Sequence, residues 1–457
     1  MSLWTSAEIA AATDGTASAG FDVTGVTFDS REVGRGDLFL ALTGETTNGH
    51  RFLDQAFAQG AAGALVSEAT PHPHVAVADT TAALDALGAA ARARMQGKVI
   101  GVTGSVGKTG TKEALFAALD RPEPGTAHRS VKSYNNHTGV PLSLARMPRE
   151  TRFGVFEMGM NHEGELAQLT RLVRPHVAIV TTIAPAHMGF FDSEAAIADA
   201  KSEIFQGLEP GGTAIVPFDS PHRDRLIAAA QPYAGRIVTF GLGDGADFRA
   251  VEQMRTRTGG TFVTARFDKR ELSFTISQLG PHWVSNAMAI LAAVDAVGSD
   301  LEMAGLAMAE MGGLPGRGAR FLASVDGGEA LVIDESYNAN PASMRATLAV
   351  LAREDGRKLA VLGEMRELGD HSEAFHADLA EPIAAAGVER AILVGEAMQP
   401  LANALEGRID FVHVPDAATA LDRLNAVLAP GDAVLVKGSN GVRLSGLVAA
   451  LAERQRP

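Results

Sequence analysis

Gly107, Lys108 and Thr109 stand where an apolar run gives way to a helical pattern, in KVIGVTGSVGKTGTKEALFAALD at residues 98–120. A glycine-rich turn between a buried strand and a helix N-terminus aims backbone N–H groups at one locus, where the helix dipole favours an anion. Lys108 adds a point charge for β- and γ-phosphates, and Thr109 offers a hydroxyl to Mg²⁺. The usual spacing GxxxxGK[ST] asks for glycine at position 102, which is Val102; the nearest upstream glycines are Gly101 and Gly104. A tight turn that merely joins strand to helix is the plainer reading, and Gly-Lys-Thr directly after a clean strand argues against it.

Magnesium-dependent phosphoryl transfer also needs a carboxylate, and Glu157 ends the strand-like FGVFEM, at the edge where ligands of parallel sheets gather. His187 in TTIAPAHMGFF likewise follows a strand, although a lone histidine is more often structural than a ligand. Lys201 in DAKSEIF falls on a helix, where a lysine is usually solvated. SYNNHTGVPL (133–142) puts Asn135, Asn136 and His137 in a loop closed by Gly139 and Pro141, and IDESYNANP (333–341) repeats the amide-rich pattern. Such loops suit hydrogen bonding to a sugar, a base or a peptide, and equally suit plain turns.

These side chains need elements to hold them. At 457 residues the chain has room for about three domains, expected at 1–96, 97–313 and 314–457. Segment 1–96 holds two apolar runs around a glycine-rich turn (25–42), a helix-like HRFLDQAFAQGA and a further Thr-capped, Ala-rich helix from residue 80. From residue 98 the runs VIGVT, FGVFEM, VAIVTTI, GTAIVPF and RIVTFG alternate with helical stretches, as in a helix-covered parallel sheet. Alternating residues at 261–276 read as an antiparallel hairpin inserted there. After the glycine-rich MGGLPGRGAR (311–320), five strand–helix units read as a doubly wound domain. The fold class is therefore α/β in three domains: a small α/β unit, a central parallel-sheet domain with an antiparallel insertion, and a C-terminal Rossmann-like domain.

The charge balance of 54 acidic against 40 basic residues, net -14, lacks the basic footprint of a nucleic-acid binder. The absence of cysteine removes disulfides and thiol chemistry. MSLWTSAEIAAATDG has no basic n-region followed by an apolar core, and no run reaches membrane-span length. A cytoplasmic location without a membrane span is expected.

Taken in order over nearly the whole chain, these strings resemble the Mur ligase family. Its phosphate loop looks like GxTGSxGKTT, which Gly101, Thr103, Gly104, Gly107, Lys108 and Thr109 match, so the off-register glycine becomes an identifier. EMGMNHEGEL, AHMGFFDS with AKSEIF, GPHWVSNAMA, GLPGRGARF, VLGEMRELG and VKGSNGVRL are further similarities. SYNN and YNANP favour the branch that joins D-alanyl-D-alanine (D-Ala-D-Ala) to UDP-N-acetylmuramoyl-tripeptide (UDP-MurNAc-tripeptide). The resemblance implies an acyl-phosphate route with ATP as substrate and Mg²⁺ as cofactor, in the last cytoplasmic step of peptidoglycan precursor synthesis, carried out by a monomer. It implies that Gly104, Ser105, Val106, Gly107, Lys108, Thr109 and Gly110 bind ATP together with Asn286, Arg317, Asp334, Tyr337 and Asn338. It assigns Thr109, Glu157, His187 and a carbamylated Lys201 to magnesium, with Lys108, Glu157, His187, Lys201 and Arg317 catalytic. Ser30, Arg31, Asn48, His50, Asn135, Asn136 and His137 fall to the substrates, the first four in a uridine-nucleotide domain.

Because Arg317 and Asp334 lie beyond the glycines at 312–313, the resemblance also implies an open form without ligand and a closed one with ATP and sugar nucleotide. Five positions depart from the family pattern: Val106, Gly110, Glu335 and the pair Met188-Gly189. Gly110 replaces a threonine, and a modest loss of ATP affinity is expected. The competing readings are a sibling ligase, which SYNN and YNANP oppose, and a nucleotide-driven switch, whose glycine spacing fails at Val102.

Overall fold

A computed structural model describes residues 2–44, 47–186, 188–256 and 259–454. Three large sheets follow one another along the chain. The first has five strands, in the order Thr16–Ala17, His74–Ala76, Gly63–Val66, Asp37–Leu40, Gly25–Thr27; all pairs are parallel except the first. The two runs around the glycine-rich turn thus lie parallel. The chain between them climbs back before re-entering the sheet.

The central sheet has nine strands. Ala127–Arg129, Phe153–Glu157, Lys98–Thr103, Val177–Val180, Thr213–Pro217, Arg236–Gly241 and Phe248–Arg255 are parallel, and Thr261–Phe267 and Arg270–Ile276 follow antiparallel. The expected hairpin is present and forms the edge of this same sheet rather than a separate inserted body. Its inner strands are continuous apolar runs because helices cover both faces. Ile100, Val102, Ile179 and Ile215 face one core, and Val99, Ala178, Val180 and Ala214 the other.

The third sheet has six strands: Ala319–Val325 lies antiparallel on Gly328–Glu335, and then Ala433–Lys437, Lys358–Gly363, Val388–Val394 and Asp410–Val414 continue in parallel. Ala319–Val325 was not foreseen as a strand, since its start reads as part of the glycine-rich linker. The third sheet's unit is tied to the central one by Arg255, which donates to the Arg353 carbonyl at 2.8 Å and pairs with Glu354 at 3.3 Å.

Two local expectations change. The helix Thr80–Arg94 is capped by Asp79, whose carboxylate accepts from the N–H groups of Thr81 and Ala82, so the aspartate one residue earlier takes the capping role given to threonine. Pro141 does not close a loop but sits in the first turn of the helix Gly139–Ala145, where its missing N–H has no intrahelical acceptor to lose. That short helix packs on Thr80–Arg94 and contributes Leu142 and Ala145 to the first unit's core.

Candidate active site

The strand Lys98–Thr103 ends in the glycine turn, and the helix Lys108–Asp120 starts from it. Gly104 (φ +148°) and Gly107 (φ +92°) adopt backbone conformations that favour glycine, and a Cβ on Gly104 would lie 2.0 Å from the Thr181 hydroxyl. The turn is pinned from the neighbouring strand end: the Ser105 hydroxyl donates to the Ala184 carbonyl at 2.9 Å, and Thr181 donates to the Val106 carbonyl at 2.6 Å. The Lys108 ammonium folds back onto the Gly104 carbonyl at 2.5 Å. Burial holds its pKa below the ordinary lysine value; Glu157 opposes that shift and Arg317 reinforces it.

Glu157, the last residue of its strand, is 1 % exposed. Thr109 donates to one of its carboxylate oxygens at 2.8 Å and the Asn135 amide to the other at 2.7 Å. Both partners are neutral, and the nearest cation in an ion pair with it is Lys112 at 4.0 Å. Lys112 is fully buried and committed to the carbonyls of Ser130 and Lys132 and to the Glu113 carboxylate at 2.9 Å. Sequence reasoning missed it, because a lysine one turn into a helix carries no sign of burial.

Lys201 departs from expectation. Its helix Glu194–Ser202 forms, but the side chain is 1 % exposed rather than solvated, and no hydrogen-bond acceptor among the described residues meets its ammonium. Burial, then the charge of Lys108, drive its pKa well below the ordinary value, a shift that favours the neutral amine. His187 lies outside the described residues.

The opposite wall comes from the third sheet. The Arg317 guanidinium lies over the Tyr337 ring, 4.2 Å from its centroid, with one nitrogen 3.4 Å from the Ser133 hydroxyl across the gap. Asp334 does not line the cavity; its oxygens accept from Gly316 N–H at 2.6 Å and from the Ser336 hydroxyl at 2.6 Å, shaping the turn that carries Arg317. Glu335 pairs with buried Lys437 at 3.6 Å, and Lys437 also donates to the Asn338 carbonyl at 2.9 Å. Burial pushes Glu335 up and Lys437 down, each opposed by the other's charge. Lys437 and Arg366, which also lines the cavity, stood inside strings that matched as patterns, VKGSNGVRL and VLGEMRELG, without being singled out.

Between these walls lies one cavity of about 510 Å³, lined by Ser105, Val106, Gly107, Lys108 and Gly110 from below and by Arg317, Glu335, Tyr337, Asn338 and Lys437 from above. Its side is closed by the helix Pro281–Ala296 through His282, Trp283 and Asn286. The two walls face each other in this structure. Gly110 is not a gap left by a missing threonine: a Cβ there would lie 2.8 Å from the Trp283 indole, so that space is filled. A Gly110→Thr change is therefore a steric test rather than a test of a lost hydroxyl.

Asn135 reaches the cavity, but the other expected substrate residues do not line it. Asn136 accepts from the Gly139 N–H and the Thr138 hydroxyl, and His137 is exposed. Ser30 donates to Gln55 at 3.2 Å, and Arg31 pairs with Asp29 at 2.7 Å. The Asn48 amide donates to Glu68, while His50 accepts from the Ser67 N–H at 2.9 Å and sets its other ring nitrogen 2.7 Å from Asn48. The loop carrying Asn135 nevertheless reaches the first unit, through a Lys132–Glu32 ion pair and Phe28 packed on Tyr134.

Family models match three stretches of the chain: the Mur ligase family catalytic domain at 22–97, the Mur ligase middle domain at 102–294 and the glutamate ligase domain at 320–440. The chain belongs to the Mur ligase family. It is 35 % identical to the UDP-N-acetylmuramoyl-tripeptide--D-alanyl-D-alanine ligase of Bacillus subtilis (strain 168), with 94 % of this chain and 93 % of that one covered. It is likewise 35 % identical to the enzyme of that name from Escherichia coli (strain K12), with 95 % of each covered. Among solved structures it superposes on MurF from Acinetobacter baumannii with a TM-score of 0.84 and 33 % identity, over 98 % of this chain and 99 % of that one. MurF from Thermotoga maritima in complex with ADP gives 0.77 and 25 %, over 94 % and 98 %.

Proposed function

We propose that this chain is an ATP-dependent amide ligase joining D-alanyl-D-alanine to UDP-N-acetylmuramoyl-tripeptide, in the last cytoplasmic step of peptidoglycan precursor synthesis. The observation that carries the reading is the meeting of Lys108 and Arg317, from two different sheets, across one cavity that also holds Glu157. The relatives named for this reaction match the chain nearly end to end.

A carboxylate is a poor acylating agent at neutral pH, so the reaction takes two steps. The tripeptide's terminal carboxylate oxygen attacks the γ-phosphorus of ATP, the bond to the ADP oxygen breaks, and an acyl phosphate forms. The amine nitrogen of D-Ala-D-Ala then attacks the acyl carbon, the carbon–oxygen bond to phosphate breaks, and the amine loses a proton. Backbone N–H groups of 104–108 hold the phosphates, while Lys108 and Arg317 place positive charge on both sides of the transferring group. Asp334 positions Arg317 through Gly316, and Tyr337 and Asn338 complete the nucleotide wall.

Thr109 and Glu157 fit a magnesium ion: both are hard oxygen donors, and the carboxylate's hydrogen-bond partners are neutral. No cluster of three or more His, Cys, Asp or Glu ligands exists among the described residues, which suits an ion that keeps waters and substrate phosphates in its shell. His187 and Lys201 complete the proposed set. A neutral Lys201 amine is the form that adds carbon dioxide, losing a proton to become an anionic carbamate. When bound, magnesium supplies charge neutralisation for the phosphates.

The division into units 1–96, 97–313 and 314–457 belongs to the same proposal. The first unit would take the UDP-sugar through Ser30, Arg31, Asn48 and His50, and Asn135, Asn136 and His137 lead from it toward the cavity. Phosphate release is the test: turnover requires UDP-MurNAc-tripeptide, D-Ala-D-Ala and magnesium together, and stops on chelation. Steady hydrolysis of ATP alone would instead favour the nucleotide switch.

A further inference from the structure

We propose that Gly189 is a positioning residue: with Gly369 it forms a crossing of two backbones without side chains, at which the turn 364–369 of the third unit docks on the central unit and fixes where Arg366 enters the cavity. The role of Arg366 there rests on the ligase reading, whereas the crossing rests on geometry alone.

The turn is held at three successive N–H groups. Those of Glu364, Met365 and Arg366 donate to the Val394 carbonyl at 3.0 Å, to His376 Nε2 at 2.9 Å and to the Ser439 hydroxyl at 3.0 Å. Met365 and Leu368 are buried in the third unit's core. Arg366 is left to line the cavity, its guanidinium against Gly441, where a Cβ would lie 2.0 Å from Nη1. Glu367 and Gly369 then take positive φ, +64° and +55°. A residue other than glycine persists in that conformation only where its surroundings over-determine it. The Glu367 carbonyl faces the central unit, where the Gly189 N–H donates to it at 3.0 Å.

On the central side, Gly189 follows Ala184, whose carbonyl and N–H bond the Ser105 hydroxyl of the phosphate turn at 2.9 and 3.1 Å. Met188 and Phe191, which flank Gly189 in the chain, pack on the central core. Both backbones are therefore fixed before they meet. A Cβ on Gly189 would lie 3.2 Å from Gly369 N, and one on Gly369 would lie 2.8 Å from Gly189 Cα. Gly369 also needs glycine for its φ. The Gly189 backbone lies outside the left-handed region, so only the crossing calls for glycine there. Gly189 is also a position at which the sequence departs from the family pattern, which makes the crossing a feature of this chain.

The chain has no cysteine, so Phe190→Cys with Asp370→Cys, both exposed and each one residue from the crossing, supplies its only two thiols. A short bismaleimide should bridge them within one chain, read by mass spectrometry as one reagent consuming both thiols. The reaction is run with and without a non-hydrolysable ATP analogue, magnesium and UDP-MurNAc-tripeptide. Two separate adducts under both conditions would overturn the crossing.

Kinetically, Gly189→Val should lower ligation by on the order of 10²-fold at an unchanged melting temperature, the scale of about 1 Å of misplacement. The loss should fall on kcat, with the ATP KM held by the intact phosphate turn. Gly189→Ala, with its single methyl, should give a smaller fall in the same direction, and it carries the test if the valine variant does not fold. A loss that tracks a lowered melting temperature, or one borne by the ATP KM, would overturn the positioning role. In an Arg366→Ala chain, Gly189→Val should add little, because the group being placed is gone; additive effects would overturn it too. A native chain without ligation removes the ligase reading, and the cross-link then still decides the crossing.

Discussion

The two walls of the cavity each present a carboxylate beside a lysine at the end of a parallel strand, and they treat the charge differently. On the third sheet Glu335 is paired with Lys437, both are pushed toward neutrality, and the wall is electrically complete without a ligand. On the central sheet Glu157 is met by a hydroxyl and an amide, while Lys108 is committed to a backbone carbonyl and Lys112 to two carbonyls and the Glu113 carboxylate. A buried carboxylate held by neutral partners has charge left to neutralise, whereas a paired one does not. The central wall thus keeps a carboxylate whose hydrogen bonds come from neutral groups, as the proposed cation site requires, and the third wall brings a paired carboxylate together with the guanidinium groups of Arg317 and Arg366.

Four experiments break or sharpen that contrast. The largest effect is expected from Glu157→Gln, which removes the open charge and keeps the shape: ligation should fall by about 10²–10³-fold or more, with little change in melting temperature, and magnesium should no longer protect the chain against heat. Undiminished activity would mean that this carboxylate does not receive the cation.

Next comes Lys437→Met, which leaves Glu335 buried without its partner. Stability should drop by up to about 3–5 kcal/mol, the scale for breaking a buried pair, read as a lower denaturation midpoint with activity falling less than in Glu157→Gln. The reverse order of these two variants, in both readouts, would dissolve the difference between the walls.

Mild acid should cost less. His128, His176 and His282 have pKa values held down to about 4 from an ordinary 6.5, chiefly by burial. Between those values the unfolded chain binds protons that the folded chain refuses. Stability from these groups is therefore complete above about 6.5, declines as pH falls to about 4, and loses nothing further from them below that. Melting curves between pH 8 and 4 should show this, and His128→Gln should flatten the slope; a flat native profile would refute neutral burial of these rings.

The smallest effect belongs to Arg31→Ala, at a residue that is exposed and does not line the cavity. It should raise the KM for the UDP-sugar peptide a few-fold, on the order of a surface charge contact, and leave the ATP KM alone. An equal change in both constants would place Arg31 in communication with the cavity.

Much of this was legible in residue order. The apolar runs marked the parallel strands of the central and third sheets because strands covered on both faces must be apolar throughout. Lys108, Thr109 and Glu157 could be chosen because a phosphate turn and the end of a parallel strand are local features. The strand Ala319–Val325 was not legible, since an edge strand beginning with Ala319-Arg320 after a glycine-rich linker carries no pattern of its own.

What the sequence by itself determined is the phosphate turn, the alternation of elements and the family to which they belong, all set by neighbours a few residues apart. Only the tertiary structure decided that Lys201 is buried rather than solvated, that Lys112 is buried and spent on carbonyls and the Glu113 carboxylate, and that the space beside Gly110 is filled by Trp283. The physical reason is common to these cases. Burial and steric fit are properties of what packs against a residue, and Trp283 lies more than 170 positions from Gly110 in the chain.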